Sequence, residues 1–280
     1  MPTISGIYYA EFDEGRKDEP PIVLIHGAGS SHLVWPAEIR RLPGQRVLAI
    51  DLPGHGRSAG TAQQSIRAYA DQIVNFLGDL GLYHAVFIGH SMGGAIALTL
   101  AMGDPTQVAG LGLISTGAYL GVDAAFMEDL ANPVTIPSAL YQFQVKAFGP
   151  HAAPALVERC MQPIRQTRSS VLYGDWHACE NFDVRDAVAQ IEAPTWVIVG
   201  SEDRVTPVAY AHFLAGRMPA ARLQIIPGGG HMVLLEQTGL IQQGLQQYLS
   251  ALSAARFAAA RVRLVSPNTI NTYQTEKRKR

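Results

Sequence analysis

The chain is poor in cysteine, in charge and in long apolar runs. Two of its 280 residues are cysteine, Cys160 and Cys179. That is too few for a disulfide framework and is equally compatible with a reduced cytosolic protein. Charged residues make up 16% and the formal net charge is −1, which argues against general nucleic-acid binding. No run of eighteen apolar residues occurs, so no membrane span is expected. The start Met1-Pro2-Thr3-Ile4-Ser5 lacks the basic and apolar stretches of a secretory signal. The expectation is a soluble, cytoplasmic protein. No H-E-x-x-H run and no cysteine cluster is found, so no metal is expected. Gly27-Ala28-Gly29 begins a dinucleotide fingerprint that nothing completes, and no phosphate loop is found, so no cofactor is expected.

What the chain has in quantity is apolar residues, 48% of the total, enough for one catalytic domain with a large core. Apolar runs of strand length stand at Ile22–Ile25, Val47–Ile50, Ala85–Ile88, Leu111–Ile114 and Trp196–Val199, and Leu223-Gln224-Ile225-Ile226 precedes the last glycine loop. Short, wholly apolar runs read as buried parallel strands. Residues 65–80 place Ile66, Tyr69, Ile73, Phe76, Leu77 and Leu80 at helical spacing, and a short helix is expected near 36–42. Strands alternating with helices predict an α/β fold with a mostly parallel, doubly wound sheet. Before the first parallel strand, residues 3–13 suggest an edge meander, and residues 13–20 a polar hairpin turn.

Chemistry concentrates where these strands end. Gly89-His90-Ser91-Met92-Gly93-Gly94 follows a strand and precedes the apolar helix 95–101, the context a G-x-S-x-G nucleophile elbow requires. The small neighbours let strand and helix approach closely around a strained serine. His26-Gly27-Ala28-Gly29-Ser30 ends an earlier strand, and its loop can supply a second oxyanion donor. The expected pair is the N–H of Ala28 with the N–H of Met92. Gly200-Ser201-Glu202-Asp203 ends another strand, with Pro207 suited to open the next helix. Gly228-Gly229-Gly230 precede His231, on a loop read as flexible enough to swing an imidazole toward the serine.

These segments, with Asp51-Leu52-Pro53-Gly54-His55-Gly56-Arg57-Ser58, resemble the α/β-hydrolases of the esterase and carbon–carbon hydrolase branch. The likeness is spread over residues 21–250. It implies Ser91 as nucleophile, His231 as general base and acid, and Asp203 orienting the imidazole. Glu202 is a rival acid, and the resemblance points to Asp203. The implied activity is a serine hydrolase cleaving carboxylic esters of small to medium acyl groups through an acyl-enzyme. Its substrate is then a small-molecule ester or related carbonyl compound. Other readings are a carbon–carbon (meta-cleavage product) hydrolase, a lactonase, a proline-type peptidase and a non-catalytic ligand-binding protein. Carbon–carbon hydrolases of this kind carry asparagine and tryptophan where His90 and Met232 stand. A peptidase needs acids for a free amino terminus, for which Glu128, Asp129, Glu158, Asp175 and Glu180 are candidates. Of the other histidines, His26 and His55 are expected to brace loops and His90 to point away from the site, and His32, His84, His151, His177 and His212 show no partnered spacing.

Residues 117–190 break the alternation and carry Pro133, Pro137, Pro150, Pro154 and Pro163. They are read as a helical cap inserted into a core formed by 1–116 and 191–252. Trp35, Tyr141 and Trp176 are candidate substrate-pocket residues. One helix is expected after His231, closing the domain near 252. The tail 253–280 holds Arg256, Arg261, Arg263 and Lys277-Arg278-Lys279-Arg280 against Glu276. It is read as a disordered terminus without a role, the alternative being a basic amphipathic segment touching acidic surfaces.

Overall fold

A computed structural model describes residues 3–16 and 19–265, with side chains as far as 255. Among the described residues the strands are β1 (Thr3–Ile4), β2 (Ile7–Asp13), β3 (Ile22–Ile25), β4 (Arg46–Ile50), β5 (Ala85–His90), β6 (Val108–Ile114), β7 (Thr195–Gly200) and β8 (Ala221–Ile226). The helices are α1 (Ala37–Arg40), α2 (Ile66–Asp79), α3 (Met92–Gly103), α4 (Ala124–Ala131), α5 (Ile136–Ala147), α6 (Pro154–Gln166), α7 (Ser169–Glu180), α8 (Val208–Arg217), α9 (Val233–Glu236) and α10 (Thr238–Val265). Contacts divide the chain into two units, 1–242 and 243–280, and the site lies in the first. No helix among the described residues is long and apolar enough to cross a membrane.

One sheet runs in the order β1-β2-β4-β3-β5-β6-β7-β8. The six strands from β4 to β8 along it are parallel, and β1 and β2 close one edge antiparallel. Every residue of β3, β5 and β7 is buried, which is why these strands read as unbroken apolar runs. The edge meander is present, but the expected hairpin at 13–20 is not. β2 pairs with β4 rather than with β3, so the connection passes over a strand instead of turning back on itself.

The helices follow local signals. Ser65 caps α2 by accepting from the Ala68 N–H at 3.2 Å, and the face carrying Ile66, Tyr69, Ile73, Phe76 and Leu77 is buried. Full burial of side chains this size contributes roughly 1.5–3 kcal/mol each. Helix α3 is buried almost all round, so it carries no polar face. It also lies unusually close to the sheet. A Cβ on Gly93 would sit 2.1 Å from the Ile25 carbonyl oxygen, and one on Gly89 2.1 Å from the Gly93 oxygen. Only glycine permits that approach.

Helices α4 to α7 occupy the stretch between β6 and β7. Where the segment leaves and rejoins the sheet, Tyr119 and Asp183 form an antiparallel bridge. Leu120 N–H donates to Phe182 O at 3.4 Å, and Val184 N–H to Ala118 O at 2.8 Å. After His231 the structure has two helices, α9 and α10, rather than one. Helix α10 runs to Val265, so 253–265 continue a helix instead of forming a tail. Residues 266–280, with most of the basic cluster, lie outside the described residues.

Gly93→Ala is expected to lower unfolding free energy by about 3 kcal/mol in urea melts, because backbone must move to admit the methyl. Gly78→Ala, in the exposed last turn of α2 with nothing within 4 Å, should raise it by about 0.4–1 kcal/mol. Equal responses at the two positions would refute close approach as the reason for Gly93.

Candidate active site

Ser91 stands between β5 and α3 with φ 54 and ψ −120, outside the helical and extended basins that non-glycine residues favour. Its backbone is held there by Ser91 N–H to Ile114 O at 2.9 Å and by Gly94 N–H to Ser91 O at 2.8 Å. Met92 opens α3, so its N–H is one of those a helix leaves without an internal partner. Facing it is the loop after β3. A Cβ on Gly27 would come within 3.1 Å of Ser91 Cβ. His26 Nδ1–H donates to Gly27 O at 2.8 Å. That carbonyl shares its peptide group with the Ala28 N–H, so the bond fixes the direction of that N–H. His26 Nε2 in turn accepts from Leu52 N–H at 3.0 Å. The ring is therefore neutral, and burial, aided by repulsion from His55, lowers its pKa to about 4.

At the other end of the site, His231 Nδ1–H donates to the Asp203 carboxylate, at 3.0 Å to Oδ2 and 3.2 Å to Oδ1. Both side chains are buried. Asp203 also accepts from Val205 N–H at 2.9 Å, Thr206 N–H at 2.8 Å and Thr206 Oγ1 at 2.8 Å. Burial would raise the Asp203 pKa, yet the His231 interaction and these bonds outweigh it and hold the pKa below the ordinary value. The carboxylate is thus ionised and fixes the Nδ1–H tautomer, leaving Nε2 to accept a proton. Glu202, the rival acid, is exposed.

Two of the three glycines before His231, Gly229 and Gly230, stand at positions of close backbone approach. A Cβ on Gly200 would lie 2.1 Å from Gly229 O, and one on Gly230 2.4 Å from Gly149 N. Glu236 accepts from Gly230 N–H at 3.1 Å and from Gly149 N–H at 2.8 Å, and Met232 N–H donates to Ala147 O at 3.0 Å. These contacts hold the backbone from Gly229 to Met232 against the loop at Gly149 and the end of β7. His90 is a correction. Its ring packs against that of His231 at 5.0 Å between centroids, and its Nε2–H donates to His231 O at 3.0 Å. Burial and then the neighbouring His231 lower its pKa to about 3.

The expected pocket residues separate. Trp176 packs edge-on against Phe126 and Phe143, at 4.8 and 5.4 Å between centroids. With them it lines a cavity of about 110 Å³, to which Gln142, Lys146 and Arg204 also contribute. Phe143 bridges to the triad-type pair, its ring edge-on to His231 at 6.2 Å. Tyr141 is instead 65% exposed, on the opposite side of α5 from the buried Phe143 two residues on. Trp35 is wholly buried in the core, and its indole nitrogen has no hydrogen-bond partner among the described residues.

Sequence reasoning missed a set of buried acids. Asp51 accepts from His32 N–H, His32 Nδ1–H and Arg57 N–H at 2.7–2.9 Å, a pairing that spacing in the sequence does not show. Asp175 accepts from Gly29 N–H, His55 Nε2–H and Tyr69 O–H. It is wholly buried, so it is unavailable to a substrate's amino group. The clue to both was a carboxylate at an otherwise apolar position.

The profile of the alpha/beta hydrolase fold family matches residues 20–238. The chain is 30% identical, over 88% of its length and 68% of the relative's, to the dihydrolipoyllysine-residue acetyltransferase component of an acetoin cleaving system from Pseudomonas putida. It is also 30% identical to a pimeloyl-[acyl-carrier protein] methyl ester esterase from Aromatoleum aromaticum, over 78% of this chain and 93% of that one. Among solved structures, a thermophilic esterase superposes with TM-score 0.74 at 28% identity, covering 88% of this chain and 98% of that one.

His26 and His90 stay neutral in the fold well below the ordinary histidine value of 6.5, whereas in the unfolded chain they take up protons as pH falls through it. Their contribution to stability is present above that value and lost as pH drops toward about 4, by up to about 1.4 kcal/mol per pH unit for each histidine. Thermal melts between pH 7 and 4.5 should show this loss, and His90→Gln should reduce it. A melting temperature flat across that range would refute the neutral assignments.

Proposed function

Because the chain belongs to the alpha/beta hydrolase fold family, we propose that it is a serine hydrolase cleaving carboxylic esters of small to medium acyl groups. The observation that carries this reading is the Asp203–His231 pair. An ionised, buried carboxylate holds Nδ1–H, so Nε2 faces the chemistry as a base. Ser91, strained at the strand-to-helix turn, is the nucleophile.

In this mechanism Ser91 Oγ attacks the acyl carbonyl carbon while His231 Nε2 takes the hydroxyl proton. The carbonyl oxygen becomes an oxyanion and accepts from the Ala28 and Met92 N–H groups, each worth roughly 3–4 kcal/mol of barrier. His231 then gives the proton to the departing alkoxide as the carbon–oxygen bond breaks, leaving Ser91 acylated. Water attacks that acyl-enzyme with His231 again as base, and the acid leaves as Ser91 recovers its proton. Asp203 stays ionised throughout and stabilises the transient imidazolium. The cavity walled by Phe126, Phe143 and Trp176 receives the apolar part of the substrate. The similarity to an esterase and to a methyl ester esterase supports ester bonds as the target.

Initial rates on p-nitrophenyl esters from acetate to palmitate test this. A short- or medium-chain maximum is expected. Ser91→Ala should lower kcat by about 10⁶-fold, and Asp203→Asn by about 10⁴-fold through the wrong imidazole tautomer. A folded protein that leaves every ester intact would overturn the reading.

A further inference from the structure

Gly29 follows Ala28 with φ +65, and both of its backbone polar groups are held by residues that stand between β6 and β7. Its N–H donates to Asp175 Oδ2 at 2.7 Å, and its carbonyl accepts from Thr167 Oγ1 at 2.9 Å. A Cβ at Gly29 would meet Leu172 Cδ2 at 2.6 Å, so helix α7 also presses on the loop. On the other side of Ala28, the peptide carrying its N–H is fixed by His26. Two bonds from the sheet side and the helical segment therefore set the orientation of one N–H.

Asp175 is itself built to stay in place. Its Oδ2 also accepts from His55 Nε2–H at 2.7 Å, and its Oδ1 accepts from Tyr69 O–H. His55 Nδ1–H donates to Pro53 O at 3.1 Å. Since a carbonyl and a carboxylate oxygen both only accept, His55 donates from both nitrogens and is an imidazolium. Burial opposes this, but the Asp175 charge and hydrogen bond prevail and raise the His55 pKa. A fully buried ion pair is seldom more stabilising than apolar packing of the same volume. Here one of its donors is the peptide next to the oxyanion loop's key N–H.

We propose that Asp175 and Thr167 are positioning residues that set the oxyanion loop from the helical segment, so that the Ala28 N–H reaches its working orientation only when α6 and α7 are seated. This rests on the serine-hydrolase reading above. Residue 176, the next along α7, lines the aromatic cavity, so filling that cavity bears on the same helix that grips Gly29.

The test measures kcat and KM on p-nitrophenyl butyrate, with the rate of Ser91 labelling by a fluorophosphonate, at a temperature where each variant is folded by circular dichroism. Thr167→Val removes one grip at a half-buried position; it should lower kcat and the labelling rate by about 10-fold with KM little changed. Thr167→Ser, which keeps the hydroxyl, should restore both. Asp175→Asn should lower both by about 100-fold, approaching the loss of one oxyanion donor. If the valine and asparagine variants only melt earlier, with kcat and labelling at wild-type values, the two residues hold the fold and the proposal is overturned. If Asp175→Asn fails to fold, the Thr167 pair decides alone. Should wild-type protein be neither labelled nor active, the serine-hydrolase reading has failed and the positioning role falls with it. Labelling of the wild type but not of Ser91→Ala separates that case from failure of the positioning role.

Discussion

Helix α3 touches the sheet with backbone rather than with side chains. Gly93 stands over the Ile25 carbonyl and Gly94 against Thr116, at separations that leave no room for a methyl group. That approach brings the start of α3 to the ends of β3 and β5 together. It therefore sets Ser91, the first N–H groups of the helix and the loop from His26 to Gly29 within one small volume. The strain at Ser91 is a consequence, since a strand that must turn into a helix in one residue cannot keep ordinary dihedral angles. The energy of the surrounding apolar core holds the turn in this conformation.

Four of the five histidines buried among the described residues differ in what their ring nitrogens face. His26 is neutral because one nitrogen must accept from a peptide and the other donate to one. His55 is cationic because both nitrogens face acceptors. His90 is neutral and donates to the backbone of His231. His231 keeps one nitrogen on Asp203 and leaves the other uncommitted in that network. Hydrogen-bond partners, more than depth of burial, decide which ring carries charge.

The central strands β3, β5 and β7 were legible in the sequence because they are buried on both faces and so appear as apolar runs, whereas β8, at the sheet's edge, is largely half-buried or exposed. The elbow and the acid loop were legible for the same reason, each standing where such a run ends. Less legible was anything set by partners far apart in the chain. Gly228-Gly229-Gly230 look alike in isolation, and only the folded backbone of Gly200 and Gly149 shows that Gly229 and Gly230 mark tight contact while Gly228 supplies a positive φ. Tyr141 and Phe143 are two residues apart and both aromatic, yet one faces solvent and the other His231. Asp175 carries no local motif at all, because its partners lie at Gly29, His55 and Tyr69. The hairpin expected before β3 failed because turn chemistry says nothing about which strand lies alongside.

The bridge between Tyr119 and Asp183 pins the two ends of the helical segment side by side beyond the carboxyl end of β6. A stretch of chain anchored in that way adds little to loop-closure entropy when its length changes, since the cost grows only with the logarithm of the number of residues. The sheet and its turns can therefore stay constant while the segment above them is lengthened, shortened or exchanged.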